Sequence, residues 1–184
     1  YVWDERGNRY LDGLAALFCV NIGHGRAEVG QAGADQAKEL AFWTNWSFAH
    51  PRSIELAARV AALAPGDLNR VFFTSGGSES VESAMKLARQ YHKLTGHPNK
   101  TKIIARDIAY HGTSLGALTL TAITGVRTPF EPLAPGGCHV PNTNLYRLPP
   151  GMRPEGLAEA VKERIEFEDA ETVAAVIMEP VQTA

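Results

Sequence analysis

"VFFTSGGSESVESAMKLARQYH", residues Val71 to His92, decides the fold because it changes character at its middle. Val71, Phe72, Phe73 and Thr74 make a short apolar run of strand-favouring residues. Beyond them Val81, Ala84, Met85, Ala88 and Tyr91 recur at helical spacing. The pattern predicts a strand over 71–74 and a helix over 79–94, ending near Gly96. Between the two lie Ser75, Gly76, Gly77 and Ser78. The first N–H groups of a helix lack partners within it, and the macrodipole adds partial positive charge there. Such an end takes a phosphate or carboxylate where side chains leave the approach open. Gly76 and Gly77 leave it open, and the Ser75 and Ser78 hydroxyls can donate further hydrogen bonds. Glu79 and Glu82 complement the dipole but would repel a dianion if they pointed inward, so they are expected to turn aside. A plain glycine turn with a serine N-cap is the competing reading. No capping box supports it, since the third residue after Ser78 is Val81. The turn is neither the dinucleotide fingerprint nor a Gly-Lys-Ser/Thr phosphate loop, which argues against nicotinamide and nucleoside-triphosphate enzymes.

Downstream, strand and helix alternate. "KIIA" (102–105) is a strand; a glycine-containing loop and a helix through 114–121 follow. Residues 126–152 are rich in Pro, Gly and Asn and read as an irregular connection. Pro154 opens a helix with Leu157, Val161 and Ile165 inward, and "TVAAVIM" (172–178) is a fully apolar strand, as expected where helices cover both faces of a parallel sheet. This order predicts an α/β fold with a mostly parallel sheet and right-handed crossovers. Upstream, Tyr1, Val2, Trp3, Tyr10 and Leu11 flank the charged turn Asp4–Asn8, a hairpin pattern. Residues 28–41 are Ala-rich and helical in character. "HPRSIELAARVAALAPG" is a further helix, with Ser53 as candidate cap and Pro65-Gly66 as stop.

The chain has 184 residues, suited to one ordinary domain, and its net charge of −2 gives no electrostatic reason to expect nucleic acid or an anionic membrane as partner. It holds no apolar run long enough to span a membrane. Two cysteines, Cys19 and Cys138, are too few for a disulfide framework or a Cys-based zinc site, so a reducing cytoplasm is the expected location. No histidine pair has metal-ligand spacing with a carboxylate, and no metal is expected; His24 and His50 read as turn residues. The chain opens without Met and stops directly after a strand-like run, so a fragment of a longer protein is expected.

"FFTSGGSESVESAMKLAR" resembles the phosphate-binding segment of the class III (omega) aminotransferases, pyridoxal-phosphate enzymes of fold type I. Three further stretches agree in order. "DERGNRYLDGLAALFCVNIGHG" is similar to their amino-terminal hairpin, "AYHGTSLGAL" to their ring-stacking loop, and "VIMEPVQTA" to the strand end beside the cofactor. The resemblance implies a fold-type I transferase, residues 1–50 in a small-domain or interface segment and 51–184 in the large cofactor domain. It places pyridoxal 5'-phosphate against Gly76, Gly77 and Ser78, with Tyr110 stacked on the ring, a contact that suits an electron-poor aromatic. His111, Gly112 and Gln182 are implied nearby, Gln182 toward the phenolic oxygen. Leu17 and Phe18 are implied in the substrate pocket. Glu179 is implied in switching between amine and carboxylate substrates, paired in some members with a later arginine. A structural histidine, hairpin core residues and a locally satisfied strand-end carboxylate are the respective ordinary readings of His111, of Leu17 and Phe18, and of Glu179. Ser75 and Gly76 depart from the asparagine and serine common at those positions. The dense aromatics Phe42, Trp43, Trp46 and Phe48 resemble a dimer-interface region, with core packing the competing explanation.

The implied function is transfer of an amino group from an amine or omega-amino acid to a keto acid such as pyruvate, through a ping-pong cycle, by a homodimer. The Schiff-base lysine and the pyridine-nitrogen aspartate are expected beyond Ala184. Lys86, Lys93, Lys100, Lys102 and Lys162 do not match the lysine motif, so the segment alone is expected to be inactive. Rivals are a glutamate-1-semialdehyde-type aminomutase, a decarboxylating aminotransferase, and a non-catalytic α/β module that binds a phosphorylated metabolite.

Overall fold

The structure, a computed structural model, describes residues 1–182, and Thr183 and Ala184 lie outside the described residues. Two units form, Tyr1–Val71 and Phe72 onward. In the first, β1 (Val2–Trp3) pairs antiparallel with β2 (Arg9–Tyr10), as the aromatic flanks predict. Asp4 ties the turn: its carboxylate accepts from the N–H groups of Arg6 and Asn8, both at 2.9 Å, and from the Tyr10 hydroxyl at 3.0 Å. The helical turn α1 (Ala15–Phe18) follows, then α2 (Ala27–Leu40) and α3 (Pro51–Leu63). The cap of α3 is His50 rather than Ser53: the His50 ring accepts from the Arg52 N–H at 3.1 Å. Pro51 at the first helical position needs no N–H partner and sets the boundary upstream. Ser53 lies inside the helix, its hydroxyl on the His50 carbonyl at 2.8 Å.

The second unit is built on α4 (Gly77–Leu94) and a parallel three-stranded sheet. β3 (Lys102–Arg106) is its centre, and α5 (Leu115–Leu118) and α6 (Thr124–Arg127) follow it. β4 (Gly137–Val140) and β5 (Val173–Val176) flank β3, with α7 (Pro154–Phe167) between them in sequence, giving the order β4-β3-β5. Both pairings are parallel, Ile104 opposite Cys138 and Val176. The alternation of β3 splits the core. Ile103 and Ala105 pack with Met85 and Leu120, backed by Val81 of α4. Ile104 packs with Cys138, Val140 and Val173, backed by Val161 and Ile165 of α7. Helices therefore cover both faces, which is why β3 is apolar without polar alternation. Ile104, fully buried, contributes about 2–3 kcal/mol by leaving water.

Three further expectations differ. Residues 71–74 are not a strand: a strand exists only as part of a ladder, and among the described residues nothing pairs with them. The irregular stretch 126–152 contains β4, hidden from pattern reading by its glycine and by its length of four residues. Gly137 opens it because an added Cβ would meet the Thr119 carbonyl at 2.6 Å. Tyr91, grouped by spacing with the inward face of α4, is exposed, as are Leu87 and Leu94.

Candidate functional site

The carboxyl ends of β3 and β5 and the amino end of α4 meet in the second unit. At α4, Ser75, Gly76, Gly77, Ser78, Glu79, Glu82 and Ser114 line a depression of about 350 Å³. A Cβ built on Gly76 or Gly77 would meet nothing within 4 Å, so the backbone is bare to the opening. The helix that starts there runs for 18 residues and brings its full dipole to that point. The two carboxylates are turned onto neighbours. Glu79 accepts from the Ser75 N–H at 2.7 Å and from the Ser75 hydroxyl. Glu82 accepts from the Ser114 hydroxyl and from the Gly116 N–H at 3.1 Å. These bonds, the Ser75 hydroxyl first for Glu79 and the Ser114 hydroxyl first for Glu82, hold both carboxyls below the usual carboxylate range. The Ser75 hydroxyl is therefore engaged by Glu79, against the expectation that it is free to donate outward. Ser78 is different: its oxygen accepts the Thr113 N–H at 3.0 Å and keeps its own proton to give.

Ser78 also fixes what sits opposite. Gly112 has φ +128°, and a Cβ on it would lie 2.5 Å from the Ser78 Oγ and 2.9 Å from the Ala117 Cβ. Only a glycine lets the 110–114 turn lie this close to the helix end. Thr121 pins the turn from inside, its hydroxyl oxygen accepting the His111 N–H at 2.8 Å while its proton goes to the Gly112 carbonyl at 2.9 Å. Tyr110, two residues from Gly112, keeps about half of its surface exposed. His111 is buried, and its Nε2 has no hydrogen-bond partner among the described residues. Burial pushes its pKa down; the Glu179 carboxylate, 4.0 Å away, opposes this and the Arg106 charge adds to it.

Glu179, which sequence reasoning paired with an arginine further along, has an arginine inside this chain. Arg106 Nη2 donates to its Oε2 at 2.8 Å and to its carbonyl at 2.6 Å. The other carboxylate oxygen accepts the Tyr110 N–H at 3.1 Å. Burial alone would raise the Glu179 pKa; the Arg106 hydrogen bond, the backbone N–H groups of Glu179 and Tyr110 and the nearby His111 together hold it below its ordinary value. Gln182 donates its amide to the Asp107 carbonyl at 2.8 Å. Ser78 is thus tied to the 110–114 turn and that turn to Glu179, Gly76 and Gly77 stand next to Ser78 at the helix entry, and Gln182 is held by the Asp107 carbonyl.

Leu17 and Phe18 lie in the first unit, both exposed. Their turn is left-handed, with φ of 49°, 47°, 59° and 65° at Ala15 to Phe18. Such a conformation costs non-glycine residues about 1–2 kcal/mol each. The Asp12 carboxylate holds it, accepting the Ala16 N–H at 2.9 Å, and is itself paired with His24 Nε2 at 2.7 Å. Sequence reasoning missed Arg106 and Asp12; the available signal was a charged residue placed directly at the end of an apolar strand or just before a glycine turn.

These residues fit pyridoxal phosphate. The bare helix end and the Ser78 hydroxyl suit a phosphate, the half-exposed Tyr110 face suits a planar ring, and the unpartnered His111 nitrogen suits a polar group. The chain matches the family Aminotransferase class-III over residues 1–184. It is 55% identical to Probable aminotransferase Rv3329 of Mycobacterium tuberculosis over the whole of this chain and 40% of that protein. With the beta-alanine–pyruvate aminotransferase of Pseudomonas aeruginosa it shares 38% identity over 98% of this chain and 41% of that one. The structure superposes on an omega transaminase from Pseudomonas jessenii, solved in complex with PMP, with a TM-score of 0.94 at 32% identity, covering 100% of this chain and 42% of the other. The chain belongs to the class III aminotransferases and has the fold-type I architecture. It spans about 40% of the length of the curated relatives it matches.

Proposed function

We propose that this chain is the phosphate-holding and ring-stacking part of a pyridoxal-phosphate-dependent aminotransferase that moves an amino group from an amine or omega-amino acid to a keto acid, with pyruvate the favoured acceptor. The observation that carries the reading is the packing of Gly112 on Ser78, which joins a bare helix end to the Tyr110–His111 turn. When bound, pyridoxal phosphate supplies the electron sink that amino-group transfer needs. The chain's own residues supply the rest of the binding: the N–H groups at Gly77 and Ser78 and the Ser78 hydroxyl take the phosphate, and Tyr110 covers the ring. Gln182, whose amide gives one N–H to the Asp107 carbonyl, would have the other to give to the phenolic oxygen, and Leu17 and Phe18 would give the substrate an uncharged wall. The assignment of residues 1–50 to a small domain and of the rest to the cofactor domain is part of this reading. So is a cytoplasmic homodimer, supported by two free thiols and by the exposed aromatics Phe42, Trp43, Trp46 and Phe48.

Family membership favours this over a non-catalytic phosphometabolite module. An aminomutase on the same fold would release no new amino acid from pyruvate. The full-length gene product, loaded with pyridoxal phosphate, is therefore expected to form alanine from pyruvate with an amine or beta-alanine as donor. A protein that rearranges its substrate without consuming pyruvate, or consumes no amino donor at all, contradicts the proposal.

A further inference from the structure

We propose that Arg106 is a positioning residue for the cofactor site, acting through Glu179 on the Tyr110–His111 turn. This rests on the pyridoxal-phosphate reading above and adds a residue to it. Arg106 ends β3 and is 4% exposed, an environment in which a guanidinium needs hydrogen-bond partners; both terminal nitrogens have them, while Nε has none among the described residues. One nitrogen donates to the Thr143 hydroxyl at 2.6 Å, and another holds both the carbonyl and the carboxylate of Glu179. These contacts link the ends of β3 and β5 to the segment after β4.

The carboxylate so held has a second use. Its other oxygen takes the Tyr110 N–H, and its arginine-bound oxygen lies 4.0 Å from the unpartnered His111 Nε2. The turn between Arg106 and Tyr110 needs such an anchor, because Ile108 sits at φ +65°, where a β-branched residue is strained. Glu179 can serve only while it stays ionised and fixed in one rotamer. Burial works against ionisation, and the Arg106 hydrogen bond is the first of the contacts that restore it. Without Arg106, a partly buried carboxylate faces the turn uncompensated; it protonates or rotates toward water, and Tyr110 loses its backbone anchor. A strand-tying arginine with no such role would leave the aromatic and the histidine where they are.

The test uses the full-length protein loaded with pyridoxal phosphate, with Arg106→Met, Glu179→Gln and the double variant. Readouts are the visible circular dichroism of bound cofactor, the fraction retained on dialysis, kcat/KM, and the thermal midpoint. A small displacement at a reacting centre costs on the order of a hundredfold in rate. Arg106→Met is expected to lower kcat/KM about tenfold to a hundredfold and to diminish the dichroism. Glu179→Gln should do the same, and the double variant should be no worse than either single one, since both act through one contact. Arg106→Lys should recover less than half of the signal, because an ammonium cannot reproduce the fork. If Arg106→Met does not accumulate as folded protein, Arg106→Lys and Glu179→Gln carry the same comparison. Unchanged dichroism and retention with a lowered thermal midpoint would make Arg106 merely structural and overturn the proposal, as would additive effects. A wild-type protein that binds no pyridoxal phosphate would instead overturn the parent reading.

Discussion

Replacing Gly112 with Ala tests the closeness of the helix end and the aromatic turn. The added Cβ would lie 2.5 Å from the Ser78 Oγ, 2.9 Å from the Ala117 Cβ and 3.0 Å from the Ser78 Cα. One of those neighbours is backbone, so a side-chain rotation alone cannot relieve the clash. Overpacking of this kind costs about 1–3 kcal/mol. The φ of +128° adds about 1–3 kcal/mol for any residue with a Cβ. If the turn moves away, Thr113 also gives up its bond to Ser78, about 1 kcal/mol more. A central value near 5 kcal/mol follows. It is local, and hydrogen exchange of the full-length protein reads it locally: at one decade per 1.4 kcal/mol, the Thr113 amide should exchange at least about a hundredfold faster. Gly77→Ala is the contrast. Its Cβ meets nothing within 4 Å and it lies inside a helix, so the exchange at Thr113 should not change and stability should rise by up to about 1 kcal/mol. Exchange at Thr113 within threefold of wild type in Gly112→Ala would refute the packing on which the site is built.

Ser78→Ala removes the acceptor of the Thr113 N–H and a hydroxyl offered to the phosphate; a hydrogen bond to a charged group is worth about 1.5–3 kcal/mol, so cofactor affinity measured by dialysis should fall about tenfold or more. His111→Phe removes a group that burial keeps neutral. Since the folded pKa lies below the unfolded one, near 6.5, the unfolded chain binds the proton first and stability falls as pH drops through the ordinary histidine range. Denaturation midpoints at pH 8 and pH 5.5 should therefore diverge less in His111→Phe than in wild type, and equal divergence would contradict the burial argument. Glu179 has the opposite ground state: its stabilisation is full above the ordinary carboxylate range and lost as pH falls through its depressed value, so Glu179→Gln should flatten the strongly acidic limb alone.

The parts of the fold written in local chemistry were legible from sequence. The Asp4 turn with its aromatic flanks, the stop after α3, Pro154 at the head of α7 and the apolar runs of β3 and β5 each carry their own signal. What depends on neighbours was not. Val71–Thr74 has the composition of a strand and no ladder among the described residues. β4 has strand geometry because β3 lies beside it, although "GCHV" has no pattern of its own. The site divides in the same way. The bare Gly76-Gly77 helix entry and the Tyr110 turn could be read from spacing and resemblance. Arg106 could not, since its meaning is a contact with Glu179 from 73 residues away. The engagement of Ser75 by Glu79 was equally invisible, because rotamers rather than composition decide which neighbour a turned carboxylate takes.

The most direct measurement is a crystal structure of the full-length protein with pyridoxal phosphate bound. Phosphate oxygens are expected about 3 Å from the N–H groups of Gly77 and Ser78, with the Tyr110 ring against the pyridine face. A phosphate held elsewhere, with side chains packed into the entrance of α4, would contradict this.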